Sequence, residues 1–192
     1  MEVIDNFLPE DVFVPIQEYM LGPDFPWYYN DFIAYDPSEK RMFIPPEKDS
    51  WNDFQFIHNF YKLNKEYGYQ EICGYLELIQ PILNKLKMIC LLRCKANLTT
   101  CTPEGHIISG YHCDYEYNCT TAVFYITTNN GYTIFKDTEE KVESVANRLV
   151  KFNSMQNHSG VSCTDEKKRV VINFNYIEAE FFSLLNNMKG MK

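Results

Sequence analysis

A chain of 192 residues with 45% hydrophobic and 16% aromatic side chains can bury a sizeable core, and its length suits one domain. Its 18 Lys and Arg against 26 Asp and Glu leave a net charge of -8, which argues against nucleic acid or an anionic membrane surface as the main partner. No run approaches the ~18 apolar residues that a membrane-crossing helix needs, so no membrane association is expected.

The first 88 residues are expected to be helical with irregular connections. One helix should follow Leu8-Pro9-Glu10-Asp11, since proline is tolerated in a first turn and the acidic pair suits the positive end of the helix dipole. A second apolar helical face begins near Gln70, where Ile72, Tyr75, Leu76, Ile79, Leu83 and Leu86 recur at helical spacing. Pro81 interrupts it and should kink that helix or start another, because it lacks the N–H that bonds one turn back. Between the two helices, residues 22–62 are rich in proline and rings, with Phe25-Pro26-Trp27-Tyr28-Tyr29, Ile44-Pro45-Pro46 and Trp51, and show no clean period. Two readings fit that stretch: irregular chain packed on the core by its rings, or a loop that covers an active site. His58 lies within it and is read as a satisfied core or surface histidine.

From residue 89 the pattern changes to short β-branched and aromatic runs separated by turn residues. Strands are expected at 89–100, 107–112, 120–127, 132–135, 148–153 and 169–177, with Asn129-Asn130-Gly131 as a hairpin turn between two of them. The acidic stretch 136–147 reads as a solvated loop, and 178–192 as a tail that is mobile from 186 onward. Without strand-helix alternation a parallel sheet is not expected. The reading is an α+β protein: a double-stranded β-helix, or jelly roll, over 89–177, with the N-terminal helices packed outside the sheets.

Chemistry concentrates in Gly110-Tyr111-His112-Cys113-Asp114, then His158, then Arg169 in the last strand. Two imidazoles and one carboxylate on one face of a metal leave the opposite positions open, the arrangement of non-haem Fe(II) oxygenases. His112 ends an expected strand and Asp114 begins a polar turn, while His158 sits in the turn 154–160 after the strand 148–153. His106 lies too early for the ligand turn and is read as a bystander. In the last strand, alternation places Arg169, Val171, Asn173 and Asn175 on one face and Val170, Ile172, Phe174 and Tyr176 on the other. The polar face must either meet solvent at an edge or line a polar pocket, where a buried arginine needs an acidic partner that a bound carboxylate would supply.

These pieces, with Ala122-Val123-Phe124-Tyr125-Ile126, Asn130-Gly131-Tyr132-Thr133-Ile134-Phe135 and Asn147-Arg148-Leu149-Val150-Lys151-Phe152 between them, resemble in order and spacing the Fe(II)- and 2-oxoglutarate-dependent dioxygenases of the prolyl 4-hydroxylase-like branch. The resemblance covers about residues 89–177. It implies His112, Asp114 and His158 as iron ligands, Arg169 as the anchor of the distal 2-oxoglutarate carboxylate, and Tyr125 as its support. Asn97 and Asn173 are further candidates for the same pocket. It also implies O₂ as co-substrate and hydroxylation of a small-molecule or peptide substrate, with peptidyl proline suggested by family likeness alone. Because Asp114 is present, no ligand position is vacant for halide, which favours hydroxylation over halogenation. Two alternatives are a cupin-like metalloenzyme that does not use 2-oxoglutarate, which would usually supply more histidines, and a non-catalytic binding module on the same scaffold.

The seven cysteines include no C-x-x-C pair and read as free thiols, and the N-terminal residues lack the basic and apolar regions of a secretory leader. A reducing, cytoplasmic setting is therefore expected. The first 88 residues carry no recognisable likeness, and nothing in the pattern bears on oligomeric state.

Overall fold

In the computed structural model, residues 1–31, 33, 54–64 and 67–178 are described. The Ile44-Pro45-Pro46 and Trp51 part of the aromatic stretch and the expected mobile tail lie outside those residues. The strands are β1 (Glu2–Ile4), β2 (Tyr28–Asn30), β3 (Gln55–Asn64), β4 (Tyr69–Ile72), β5 (Met88–Thr100), β6 (Thr120–Tyr125), β7 (Tyr132–Phe135), β8 (Lys141–Glu143), β9 (Leu149–Asn153), β10 (His158–Val161) and β11 (Lys168–Glu178). The helices are α1 (Glu10–Leu21) and α2 (Gln80–Lys85).

A large antiparallel sheet runs β1-β9-β6-β11-β5-β3-β2, with β4 also paired to β3, and a small sheet runs β10-β7-β8. The outer face of the large sheet carries Phe124, Val170, Ile172, Phe174 and Tyr176, which form one core with Phe7, Phe13, Ile16 and Met20 of the N-terminal segment and α1 and with Ile82 and Leu83 of α2. Its inner face meets the small sheet through Val123, Tyr125, Val150, Phe152 and Val171 against Phe135 and Val142. Two facing sheets with helices outside one of them are the double-stranded β-helix expected from the strand pattern.

Several local expectations gave way to tertiary pairing. The helical face expected from Gln70 begins instead as β4, whose Ile72 is 59% exposed, because residues 69–72 pair with 61–64 of β3. Helix resumes only after Gly74, as a short 3-10 turn (Leu76–Ile79) and then α2, with Pro81 at its start. Residues 55–64, expected as irregular chain, form the long strand β3. Its outer face is buried through His58 and Phe60, so the N-terminal part supplies strands as well as helices. Residues 107–112 make only isolated bridges at Ile108 and His112. Gly110 at φ 49 breaks the extended run between them. Asn129-Asn130-Gly131 does not close a hairpin, since β6 belongs to the large sheet and β7 to the small one. Asn130 instead bonds Asp165 and Thr164 of the loop before β11. The acidic stretch 136–147 contains β8, with Val142 and Ser144 buried on either side of exposed Glu143.

Asn147 clasps the N-terminal segment to the sheet. It sits at φ 64, donates its amide to Leu8 O at 2.8 Å and accepts from Leu8 N at 2.8 Å, while its carbonyl accepts from Phe7 N at 2.8 Å. Asparagine tolerates the left-handed region better than other non-glycine residues. Asn147→Ala removes both side-chain bonds and leaves a residue that resists that backbone. We expect a loss of about 2–4 kcal/mol, read as a lower urea midpoint at an unchanged slope; an unshifted midpoint would mean that the clasp contributes nothing.

Candidate metal centre

His112 and His158 face each other across an antiparallel backbone pair, with His112 N to His158 O at 3.0 Å and His158 N to His112 O at 2.9 Å. Opposed residues of such a pair project to the same side, and the ring centroids stand 4.7 Å apart. His158 was expected in a turn and is in fact the first residue of β10, which fixes its backbone within the small sheet. The polar turn after His112 is tied down by Asp114 N bonding Ser154 O at 3.1 Å. One ligand atom from each of His112, Asp114 and His158 then lies within 4.8 Å of the other two, a group that could hold a metal ion.

Each ring is set for ligation. His112 Nδ1 is 3.3 Å from Gly110 O and His158 Nδ1 is 3.0 Å from Gln156 O. A carbonyl only accepts, so each Nδ1 keeps its proton and each Nε2 presents its lone pair. Burial, followed by the neighbouring His158, pushes His112 below the ordinary histidine value and keeps it neutral at pH 7. Phe152 packs on His158 at 4.7 Å between centroids and screens that side from water.

Asp114 is the buried charge of the group, its side chain 5% exposed. Arg93 Nη2 bonds Oδ1 at 2.7 Å, and Thr121 Oγ1 and Asn175 Nδ2 bond Oδ2 at 2.8 and 2.9 Å. Burial alone would raise its pKa. The Arg93 guanidinium, His158, the Asn175 amide and His112 outweigh it and hold the carboxyl well below the usual carboxylate range. Arg93 is itself oriented by Nε bonding Asn175 Oδ1 at 2.9 Å. The carboxylate is thus ionised and pinned before any metal arrives.

Arg169 lies two register steps along β11 from Asn173 and is 5% exposed. Its Nε bonds Ser144 Oγ at 2.8 Å and its Nη2 bonds Thr133 Oγ1 at 3.2 Å. Tyr125 places its ring 5.5 Å from the guanidinium and donates its hydroxyl to Thr133 Oγ1 at 2.7 Å. Among the described residues no carboxylate pairs with Arg169. Burial pulls its pKa below the ordinary arginine value, but an arginine remains charged.

Beside it on β5, Thr99 stands opposite Arg169 and Asn97 opposite Val171 in the ladder. Asn97 Oδ1 and Thr99 Oγ1 are buried without a hydrogen-bond partner. Asn173 is half-buried on the same inner face, between the two ends of the site. His106 stays outside the group, bonding Ser162 O at 2.7 Å.

Reading the sequence did not single out Arg93, Thr121, Asn175, Thr133, Ser144 or Thr99. Asn175 carried a signal, since it lies on the same alternating face of β11 as Arg169. Arg93 and Thr99 share the parity of Asn97 on β5, but only the pairing of β5 with β11 shows that this face looks inward. Ser144 had none, because the charges around it mask a buried position.

No protein-family model and no curated protein matches the sequence. Solved structures do match in fold. A Trichoplax adhaerens prolyl hydroxylase, solved with a hypoxia inducible factor oxygen degradation domain peptide, is 13% identical over 95% of this chain and 86% of its own, with a TM-score of 0.56. A Pseudomonas putida prolyl-4-hydroxylase is 16% identical over 92% and 91%, with a TM-score of 0.53. The non-heme alpha ketoglutarate dependent epimerase SnoN from nogalamycin biosynthesis is 9% identical over 92% and 78%, with a TM-score of 0.57. SnoN is also known in complex with Fe³⁺, alpha ketoglutarate and nogalamycin RO. The chain therefore has a prolyl hydroxylase-like fold of the 2-oxoglutarate-dependent oxygenases.

The residues present fit the two groups that this fold carries elsewhere. Two imidazoles that present Nε2 and an ionised carboxylate are a donor set for a divalent iron. An enclosed arginine with no carboxylate among the described residues, beside two orphaned polar atoms, suits the far end of a dicarboxylate.

Gly131 decides whether Arg169 keeps its place. A Cβ there would meet Arg169 Cδ at 2.8 Å, Asn129 Oδ1 at 2.9 Å and the Val161 carbonyl oxygen at 2.9 Å. The last is backbone and cannot swing aside. Gly131→Ala should cost about 1–3 kcal/mol through overpacking and displace the guanidinium; a variant of native stability with Arg169 unmoved in a crystal structure would contradict this.

Proposed function

We propose that this chain is an iron(II)- and 2-oxoglutarate-dependent oxygenase that hydroxylates a C–H bond of a peptide or small-molecule substrate, with peptidyl proline the first class to try. The observation that carries the reading is the pairing of a ready metal triad with Arg169, a buried cation of β11 with no carboxylate of its own among the described residues. The P. putida and T. adhaerens enzymes are prolyl hydroxylases, and the latter was solved with a peptide, which puts peptides ahead of other substrates. The seven free thiols suit a reducing compartment such as the cytoplasm.

In this reading His112 and His158 would offer Nε2 and Asp114 a carboxylate oxygen to iron. The Gly110 and Gln156 carbonyls fix both tautomers and ring orientations, and Arg93, Thr121 and Asn175 hold the carboxylate in one pose. Arg169, positioned by Ser144 and Thr133, anchors the distal carboxylate of 2-oxoglutarate, with Thr99 and Asn97 beside it on β5. Bound together, iron(II), 2-oxoglutarate and O₂ supply oxidation of a C–H bond, with the 2-oxoacid converted to succinate and CO₂. The chain's part is to fix that open geometry, exclude water and place the substrate.

Anaerobic titration of the metal-free protein with Fe(II) and then 2-oxoglutarate should produce the visible charge-transfer band of the chelate. Asp114→Ala should abolish the band. Arg169→Ala should keep the metal but weaken 2-oxoglutarate by ~2–5 kcal/mol, the scale of a truncated charge pair. A folded wild-type protein that shows no band refutes the reading, and unchanged 2-oxoglutarate affinity in Arg169→Ala moves the anchor elsewhere.

A further inference from the structure

On the opposite face of the large sheet from the triad, His58 meets a thiol. Its partners in the β5 ladder place it there, since it stands opposite Ala96 while Ile57 stands opposite the inward Asn97. His58 is 3% exposed, with Nδ1 2.9 Å from Pro26 O and Nε2 3.2 Å from Cys73 Sγ. The Pro26 carbonyl can only accept, so Nδ1 carries the proton and Nε2 is the acceptor for the Cys73 S–H. A sulfur nucleophile, a base within hydrogen-bond reach and a third group orienting that base are the parts of an activated thiol.

The surroundings keep that imidazole neutral and free to accept. The imidazole is ringed by Phe60 at 4.6 Å, Phe25 at 4.8 Å and Tyr75 at 5.5 Å between centroids. Burial lowers the His58 pKa below its ordinary value against the Pro26 bond, so the ring is neutral and able to accept at pH 7. Cys73 is held in place by its backbone N–H to Phe60 O at 3.1 Å and is half-buried rather than sealed. Cys90 and Cys163 donate instead to the backbone carbonyls of Leu91 and Glu166, which cannot take the proton. Cys94 is fully enclosed, and Cys113 is exposed.

We propose that Cys73 is a thiol modification site of this chain, with His58 as its general base and small electrophiles of the hydroperoxide class as its reactants. With hydrogen peroxide, the Cys73 sulfur forms a bond to one oxygen as the O–O bond breaks, and the S–H proton passes to His58 Nε2. The departing hydroxide takes that proton and leaves as water. Sulfur is oxidised to the sulfenic acid, peroxide is reduced, and His58 returns to its starting state. This site shares no residue with the metal centre and stands independently of the oxygenase reading.

The test is competitive labelling of the full chain with iodoacetamide, followed by peptide mapping of all seven cysteines. A second sample is exposed to stoichiometric hydrogen peroxide with dimedone as the trap for sulfenic acid. Cys73 should be alkylated about tenfold or more faster than the more exposed Cys113, within the range of general-base assistance, and should be the residue that dimedone marks. His58→Gln should bring the Cys73 rate below that of Cys113. Labelling that simply follows exposure, with Cys113 first, overturns the proposal in the wild-type protein alone, whether or not the variant folds; so does a folded His58→Gln protein in which Cys73 reacts as before.

Discussion

A strand in the interior of a sheet has to satisfy both of its faces, and β11 does so with opposite chemistries. Its outward set, Val170, Ile172, Phe174 and Tyr176, is fully buried in the core shared with α1 and α2. Its inward set, Arg169, Asn173 and Asn175, with Val171 among them, holds both ends of the candidate site. The apolar half binds the strand into the fold, and the strict two-residue period of the backbone then presents the polar half to the space between the sheets. A slip of one residue would exchange the two sets, so the packing of the core and the geometry of the site are one constraint.

The two buried charges on that inner face are treated differently. Asp114 is surrounded within the protein by a guanidinium, a hydroxyl and an amide, and remains ionised in a position where burial alone would neutralise it. Arg169 has hydroxyl partners and a tyrosine ring but no counter-charge among the described residues. Burying a charge without one is costly. The triad end is therefore organised in advance, whereas the arginine end keeps a charge that a bound anion would balance. That asymmetry is what a site needs when it keeps its ligands fixed and exchanges a dicarboxylate at every cycle.

The outer face carries chemistry of another kind. His58 sits among aromatic rings whose first task is to fill the core between β3, α1 and the segment around Tyr75. The same rings set the polarity around its contact with Cys73. The sheet separates this thiol from the metal centre, so the two sites draw on different residues while sharing one scaffold.

What the sequence determined by itself was periodic or local. Alternation in 169–177, the strand character of 89–100 and 148–153, and the grouping of His112, Asp114 and His158 were legible because each rests on neighbouring residues or on a spaced motif. The tertiary structure decided what depends on pairing between distant segments. It drew residues 69–72 into β4 against a helical spacing, because they pair with residues 61–64 of β3. It turned Asn129-Asn130-Gly131 from a hairpin into a crossing between sheets, and enclosed Val142 and Ser144 within an acidic run. It also chose Arg93, Thr121 and Asn175 as the partners of Asp114, since only the register of β5, β6 and β11 brings those side chains to one point. A strand pattern shows which residues share a face; which faces meet is settled by long-range pairing, and no local pattern records it.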